Sequence, residues 1–122
     1  MIHYNVWFRF RNNVEETEGL AVVHAFLGEL HLAGGISAFQ ILKNSGAAAK
    51  TRMLPFQALI EFHDDAQFSA AFSSQAARGI HTGLHGQVLS LVSDFQIEVF
   101  RQLVASGSAP ALAPTRHYAC EI

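Results

Sequence analysis

Three ionisable side chains of this chain could carry out acid–base chemistry together. Glu61 and His63 are separated by one residue, so in an extended strand they share a face. Arg9 occupies the polar face of an earlier predicted strand. A histidine beside a carboxylate can act as a general base, and a guanidinium can stabilise an anionic or enolate oxygen. The same residues, with Asp94, also fit an ion-pair network inside a protein interface, and this structural alternative stays open.

A second group with chemical potential is the histidine pair His81 and His85. A spacing of four places both imidazoles on one face of a helix, and with His3 or His63 a three-ligand metal or haem site is conceivable. The segment has no H-E-x-x-H pattern, and its glycines fit equally a turn in which the imidazoles bond to backbone. We therefore expect no metal and no cofactor.

The elements that must position these residues follow from hydrophobic periodicity. The first strand alternates without a break, so that Tyr4 and Phe8 face one way while Asn5 and Trp7 face the other. Helical spacing of apolar residues follows it, and glycines at 34 and 35 end that helix. The pattern predicts strands at 2–10, 36–43, 56–63 and 93–103, helices at 14–33 and 65–78, and a short third helix within 81–92.

Two helix starts carry capping signals. Asn13 is the expected N-cap of the first helix, with Glu16 in the capping-box position three residues later. Asp64 is the expected N-cap of the second helix, with Gln67 in the same relative position. Both signals place the helix starts directly after a strand.

The order strand, helix, strand, strand, helix, strand is typical of an α+β, ferredoxin-like βαββαβ sandwich. Right-handed crossovers place the helices on one face of a four-stranded antiparallel sheet and leave the other face uncovered. That open face would carry Trp7, Leu59 and Phe100. Exposed apolar residues in the middle of a sheet favour a two-fold dimer in which two such faces pack together.

The residue segments His3–Phe8 (HYNVWF) and Arg78–Gly86 (RGIHTGLHG), with this element order, resemble the dimeric α/β-barrel superfamily. Within it, the chain looks most like small bacterial domains described only as ferredoxin-like. The resemblance covers about residues 1–103 and implies a homodimer. The superfamily includes cofactor-free monooxygenases, isomerases, haem-binding members and proteins of unknown role, so the resemblance implies no single activity.

In this topology we expect the first and third strands to be central, parallel neighbours, with the fourth strand beside the first. Arg9 would then lie near Glu61, His63 and Asp94, and Trp7 would lie between Glu61 and Gln96. His63, Glu61 and Arg9 are the candidate catalytic residues. The predicted ligand-binding set on the open face is His3, Asn5, Trp7, Arg9, Glu61, His63 and Gln96.

Composition limits the function classes. The 122 residues fit one domain, expected at 1–103, followed by a flexible tail at 104–122 that is rich in Ala, Ser, Gly and Pro. A net charge of −2 argues against nucleic-acid binding, and no apolar run is long enough to span a membrane. The single cysteine, Cys120, fits a reducing compartment, and no secretory signal is visible, so we expect a cytoplasmic protein.

Three functions remain open on these residues. The first is a homodimer that binds a small hydrophobic or aromatic molecule in a pocket between the two open sheet faces. The second is a cofactor-free monooxygenase or isomerase acting on such a molecule. The third is a purely structural dimer, in which the polar side chains of the open face only hold the protomers together.

Overall fold

The computed structural model describes residues 1–45, 54–79 and 82–103. Seven elements follow in chain order: β1 (Ile2–Phe10), α1 (Glu16–Leu32), β2 (Ala38–Lys43), β3 (Phe56–Phe62), α2 (Asp65–Arg78), α3 (Gly83–Leu91) and β4 (Val92–Arg101). The expected tail and Cys120 lie outside the described residues.

The four strands form one sheet in the order β2-β3-β1-β4, and every neighbouring pair is antiparallel. This is the ferredoxin-like sheet that the element order predicts. The expectation that β1 and β3 are parallel is wrong. The α1 crossover returns the chain so that β2 runs in the direction of β1, and the β2–β3 hairpin then reverses β3. This reversal exchanges the ends of β3 relative to β1 and decides which open-face residues meet.

The hydrophobic core lies between the sheet and the helices. Alternation in β1 and β3 supplies one apolar face, and α1 contributes the residues that recur at helical spacing. The rings of Phe8, Phe10 and Phe56 pack against one another with centroids 5.2–5.5 Å apart. The buried residues of the core are Ile2, Phe8, Phe10, Val23, Leu27, Ile36, Phe56, Ala58, Ile60 and Phe62.

The N-cap of α1 is Glu15 and not Asn13 as the sequence pattern suggested. The Glu15 carboxylate accepts hydrogen bonds from the backbone N–H groups of Glu18 at 2.9 Å and Thr17 at 3.1 Å. These bonds lower the pKa of Glu15, because they stabilise the charged form. Asn13 lies in the preceding turn, which uses two further residues before the helix begins.

Helix α2 starts where the Asp64 capping pattern predicts, and hydrogen bonds at this start connect three elements of the fold. Asp64 is the N-cap and accepts from the Gln67 N–H at 2.8 Å. The Gln67 side-chain oxygen accepts from the backbone of His63 and from the hydroxyl of Ser37, and its nitrogen donates to the carbonyl of Gly34. One glutamine side chain therefore ties the end of α1 to the β3–α2 junction.

The remaining boundaries differ from the predictions by a few residues. β2 begins at Ala38 and not at 36, because Ile36 is a buried residue of the connection that precedes the strand. β3 ends at Phe62, one residue before His63, and β4 spans Val92–Arg101. The short third helix forms despite its glycines and continues directly into β4.

Two glycines of α1 give opposite stability predictions. A Cβ at Gly19 would lie 2.8 Å from the Phe10 ring, which is itself packed between other core rings, whereas a Cβ at Gly28 meets nothing within 4 Å. We expect Gly19→Ala to destabilise the protein by about 1–3 kcal/mol through overpacking. Gly28→Ala should instead stabilise it by about 0.5–1 kcal/mol, because alanine loses less backbone entropy in a helix. Urea denaturation of both variants measures this contrast, and equal effects would contradict the packing of α1 on Phe10.

Candidate functional site

The open face of the sheet carries the predicted ionisable residues, but at two separate ends. Arg9 lies opposite Asp94, with Nε 3.9 Å from the carboxylate. This contact was expected. Arg9 does not lie near Glu61 or His63, because the antiparallel register of β1 and β3 places these at the far end of β1. Both partners of the Arg9 pair are largely exposed, so the contact contributes little to stability.

The other end of the open face brings His3 and Glu61 together. The two residues are register partners, and His3 Nδ1 lies 3.8 Å from the Glu61 carboxylate. His63 is exposed just beyond the end of β3, where its backbone N–H donates to Gln67. Six residues of extended strand separate His3 from Arg9, roughly 20 Å. The structure therefore does not unite Arg9, Glu61 and His63 in one acid–base site within a protomer.

Trp7 lies in the middle of the open face, between Gln57 and Gln96. The expected neighbour Gln96 is correct, and the expected neighbour Glu61 is replaced by Gln57 through the same reversal of β3. The indole Nε1–H donates to the carboxylate of Glu98 at 2.9 Å. This bond holds the ring across β4 and leaves an aromatic surface at the centre of the sheet.

Asn5, two residues before Trp7, is the buried polar residue of the open face, at 9% exposure. It lies opposite Leu59 on one side and Glu98 on the other. Its carboxamide oxygen is buried and has no hydrogen-bond partner among the described residues. A buried acceptor left without a partner costs about 1–3 kcal/mol, so this position is held by its surroundings at an energetic cost.

The opposite face of the sheet holds a cavity of about 600 Å³ between the strands and the three helices. The small-molecule pockets of proteins have volumes of about 300–1,000 Å³, and this cavity falls within that range. Its walls come from β1, β3, β4 and all three helices. The lining residues are Tyr4, Val6, Phe8, Val23, Phe26, Leu27, Leu30, Ile36, Ala58, Ile60, Phe62, Ala71, Phe72, Gln75, Ala76, His85, Val88, Leu89, Val92, Phe95 and Ile97.

Helix α2 packs on the sheet through Phe68 and leaves the cavity open beside this contact. The sequence predicts a buried stripe of Phe68, Ala71, Phe72 and Ala76 on this helix, yet no residue of α2 is buried, and Phe72 is 45% exposed. The stripe contributes Ala71 and Ala76, whose small side chains leave the space beneath the helix unfilled. Helix α1, in contrast, packs closely against α3. The gap between α2 and the rest of the helical layer gives access to the core side of the sheet.

The edge strand β4 forms one side of this opening. Phe95, Ile97 and Val99 point to the helical side, since they pair with core-facing residues of β1. They remain 43–58% exposed, which is unusual for the inward face of a strand. Phe95 and Ile97 line the cavity, so its apolar wall continues to the surface.

Three polar residues line the otherwise apolar cavity: Tyr4, Gln75 and His85. Burial raises the pKa of the Tyr4 phenol, which therefore stays protonated at neutral pH. The His85 ring lies against Phe26, with centroids 5.2 Å apart. The lining contains no Lys, Arg, Asp or Glu from the described part of the chain. Its chemistry is that of a hydrophobic pocket with a few hydrogen-bonding groups.

Of the two histidines that could bind a metal as a pair, His85 lies within α3, and His81 lies outside the described residues. In the described ranges, no cluster of three or more His, Cys, Asp or Glu side chains could hold a metal ion. Nor is any described helix long and apolar enough to cross a membrane.

This cavity was not predicted from the sequence, although Tyr4 and Phe8, which line it, were correctly assigned to the inward face of the first strand. The feature of the sequence that could have indicated the cavity is the small size of two side chains of α2. Ala71 and Ala76 occupy stripe positions of α2 where a packed helix normally carries large residues. Alanines at two stripe positions of a helix that faces a Phe-rich sheet indicate incomplete filling of the core.

Known structures share this fold at low sequence identity. One is a dabb family protein with a ferredoxin-like fold from Mesorhizobium loti, with 18% identity and a TM-score of 0.62 over 84% of this chain and 96% of that chain. Another is a dimeric ferredoxin-like protein of unknown function from Thermobifida fusca, with 19% identity and a TM-score of 0.57 over 83% of this chain and 90% of that chain.

An enzyme is also among these neighbours. SnoaB, described as a cofactor-independent oxygenase from Streptomyces nogalater, has 12% identity and a TM-score of 0.62 over 84% of this chain and 92% of that chain. No curated protein matches the chain in sequence. Residues 1–113 match one protein family, described as a family of unknown function, DUF6614. The likenesses establish a ferredoxin-like, dabb-type fold.

Proposed function

Since the chain belongs to the DUF6614 family, whose function is unknown, we propose a function from its own geometry. The protein is a homodimer in which each protomer binds a small hydrophobic molecule in the cavity between its sheet and its helices. The observation that carries the proposal is the cavity itself, about 600 Å³ in volume and apolar on nearly all sides. The apolar lining of this open cavity is accessible to water, and a hydrophobic ligand would remove that surface from water.

Dimerisation through the open face supports the same proposal. Trp7 and Leu59 lie in the centre of this face, and Phe100 and Leu42 add apolar surface that is 52% and 41% exposed. Large apolar side chains exposed on an uncovered sheet face are typical of an interface. The Thermobifida fusca neighbour with this fold is described as dimeric.

The predicted ligand set on the open face takes a different role in this proposal. Arg9 with Asp94 and His3 with Glu61 form two separate polar pairs at the ends of the face. In a dimer these pairs surround the apolar centre and set its register, as polar rims do in other interfaces. His63, Asn5 and Gln96 are assigned to the same interface. The pocket for the small molecule lies on the other side of the sheet.

Turnover in this cavity is a second candidate function. The observation that favours it is His85, which lines the cavity and is the residue type that most often serves as a general base. The neighbour SnoaB, which has this fold, is described as an oxygenase. His63 and Arg9 lie outside the cavity and play no part in this candidate reaction. The purely structural dimer is the remaining alternative, and a binding titration separates it from both.

The test is a fluorescence titration of the full chain with N-phenyl-1-naphthylamine, a neutral probe that brightens in apolar surroundings. We expect saturable binding at one site per protomer, with a Kd on the order of 10 µM for a ligand of this size. Binding that never saturates, or none up to the solubility of the probe, would leave the structural dimer as the better description.

A further inference from the structure

The three polar residues of the cavity are not equivalent. Tyr4 lies at the end of the cavity formed by aromatic residues, with ring centroids 5.5 Å from Phe72, 6.1 Å from Phe68 and 6.3 Å from Phe62. Phe68 also contacts Phe62 at 5.1 Å and Phe72 at 4.9 Å. These mutual ring contacts fix the Tyr4 ring in position. A fixed ring holds its hydroxyl at a defined place.

The Tyr4 hydroxyl has no hydrogen-bond partner among the described residues. Its oxygen is not fully enclosed by protein, although the residue is half-buried and lines the cavity. A phenol in apolar surroundings normally finds a hydrogen-bond partner. The phenol is protonated at neutral pH, and burial raises its pKa further, so its hydroxyl can donate a hydrogen bond to an acceptor on a ligand in the cavity. His85, in contrast, already takes part in an interaction, and its ring contacts Phe26.

The charge of the ligand follows from the lining. No Lys, Arg, Asp or Glu side chain of the described residues faces the cavity. An ionised group moved from water into such a cavity would lose its hydration without a counter-charge, so charged ligands are strongly disfavoured. A neutral oxygen acceptor loses much less hydration free energy when it enters the cavity. One hydrogen bond inside the cavity compensates for that loss.

We propose that Tyr4 selects the ligand of this cavity, and that the ligand is a neutral aromatic molecule bearing a carbonyl oxygen that accepts a hydrogen bond from the Tyr4 hydroxyl. This inference rests on the proposed function, since it requires the cavity to bind a small molecule. It adds the chemical class of the ligand and the residue that recognises it. The rings of Phe8, Phe62 and Phe72 supply the surfaces against which the aromatic body packs.

Three probes of similar shape test the class by isothermal titration with the full chain: naphthalene, 2-acetylnaphthalene and 2-naphthoate. We expect the ketone to bind about five- to tenfold more tightly than naphthalene, the effect of one added hydrogen bond. The carboxylate should bind at least about tenfold more weakly than the ketone at neutral pH, because it loses its hydration in the cavity. Tyr4→Phe, which keeps the ring and removes the hydroxyl, should abolish the preference for the ketone and leave naphthalene binding unchanged.

Ser73→Ala is the matched control, because it removes a hydroxyl from the exposed side of α2 and should keep the full ketone preference. Thermal denaturation verifies that both variants fold. If none of the probes binds, the proposed function and this inference both fail. If naphthalene binds but the ketone gains nothing, or Tyr4→Phe retains the gain, the cavity binds ligands without this role for Tyr4. Equal or tighter binding of 2-naphthoate would overturn the neutral class.

Discussion

Leu59→Glu is expected to dissociate the proposed homodimer into monomers at micromolar concentration. Leu59 is half-buried in the centre of the open face, opposite Asn5 and Gln40. A two-fold interface buries the substituted position in both protomers, so each dimer loses two leucine contacts, about 3 kcal/mol or more in total. Two carboxylates without counter-charges add to this cost. The dimer dissociation constant should therefore rise by more than about 100-fold.

Sedimentation velocity over a concentration series measures this change, with circular dichroism to show that the variant is folded. Leu32→Glu is the matched control: it places the same charge at a leucine that is 90% exposed at the end of α1, away from the open face. The control should sediment as the unmodified dimer. A Leu59→Glu protein that remains dimeric, or an unmodified protein that is monomeric, would contradict the open-face interface.

Ala71→Phe is expected to abolish ligand binding without unfolding the protein. Ala71 lies on the cavity side of α2, and a phenyl ring there would occupy the space that a ligand needs. Affinity for N-phenyl-1-naphthylamine should fall by more than about tenfold, or about 1.4 kcal/mol. Because the ring enters an existing cavity, the cost of overpacking is absent, and the melting temperature should stay the same or rise.

The adjacent Ala70 provides the control on the same helix. Ala70 is exposed, so Ala70→Phe should leave both the probe affinity and the dimer unchanged. Two results would count against the cavity as the binding site. One is unimpaired probe binding by Ala71→Phe, and the other is equal loss of binding in both variants.

The fold could be predicted from the sequence because its determinants are local. The alternation of β1 fixes which residues face the core, and the asparagine, aspartate and glycine signals mark where helices begin and end within a few residues. The N-cap of α1 was predicted at Asn13 and lies at Glu15. Either side chain can accept hydrogen bonds from the N–H groups of the first helical turn, and the length of the preceding turn decides which of them does so.

The arrangement of the candidate site depended on strand direction, which no local pattern encodes. Because β3 was predicted to run parallel to β1, Glu61 was expected at the Arg9 end of β1, whereas it lies at the His3 end. The assignment of Glu61 and Arg9 to the open face was correct. The cavity was not predictable for a related reason. Periodicity shows which side of α2 faces inward, whereas the distance between α2 and the sheet depends on how all the side chains pack.

The most direct measurement is the location of a bound probe by isotope-filtered nuclear Overhauser effects, using methyl-labelled protein and N-phenyl-1-naphthylamine. We predict contacts from the probe to the methyl groups of Ile36, Ala58 and Val88, which line the cavity. Contacts to Leu42 and Leu59 on the open face would instead place the ligand between the two sheets and contradict a site beneath the helices.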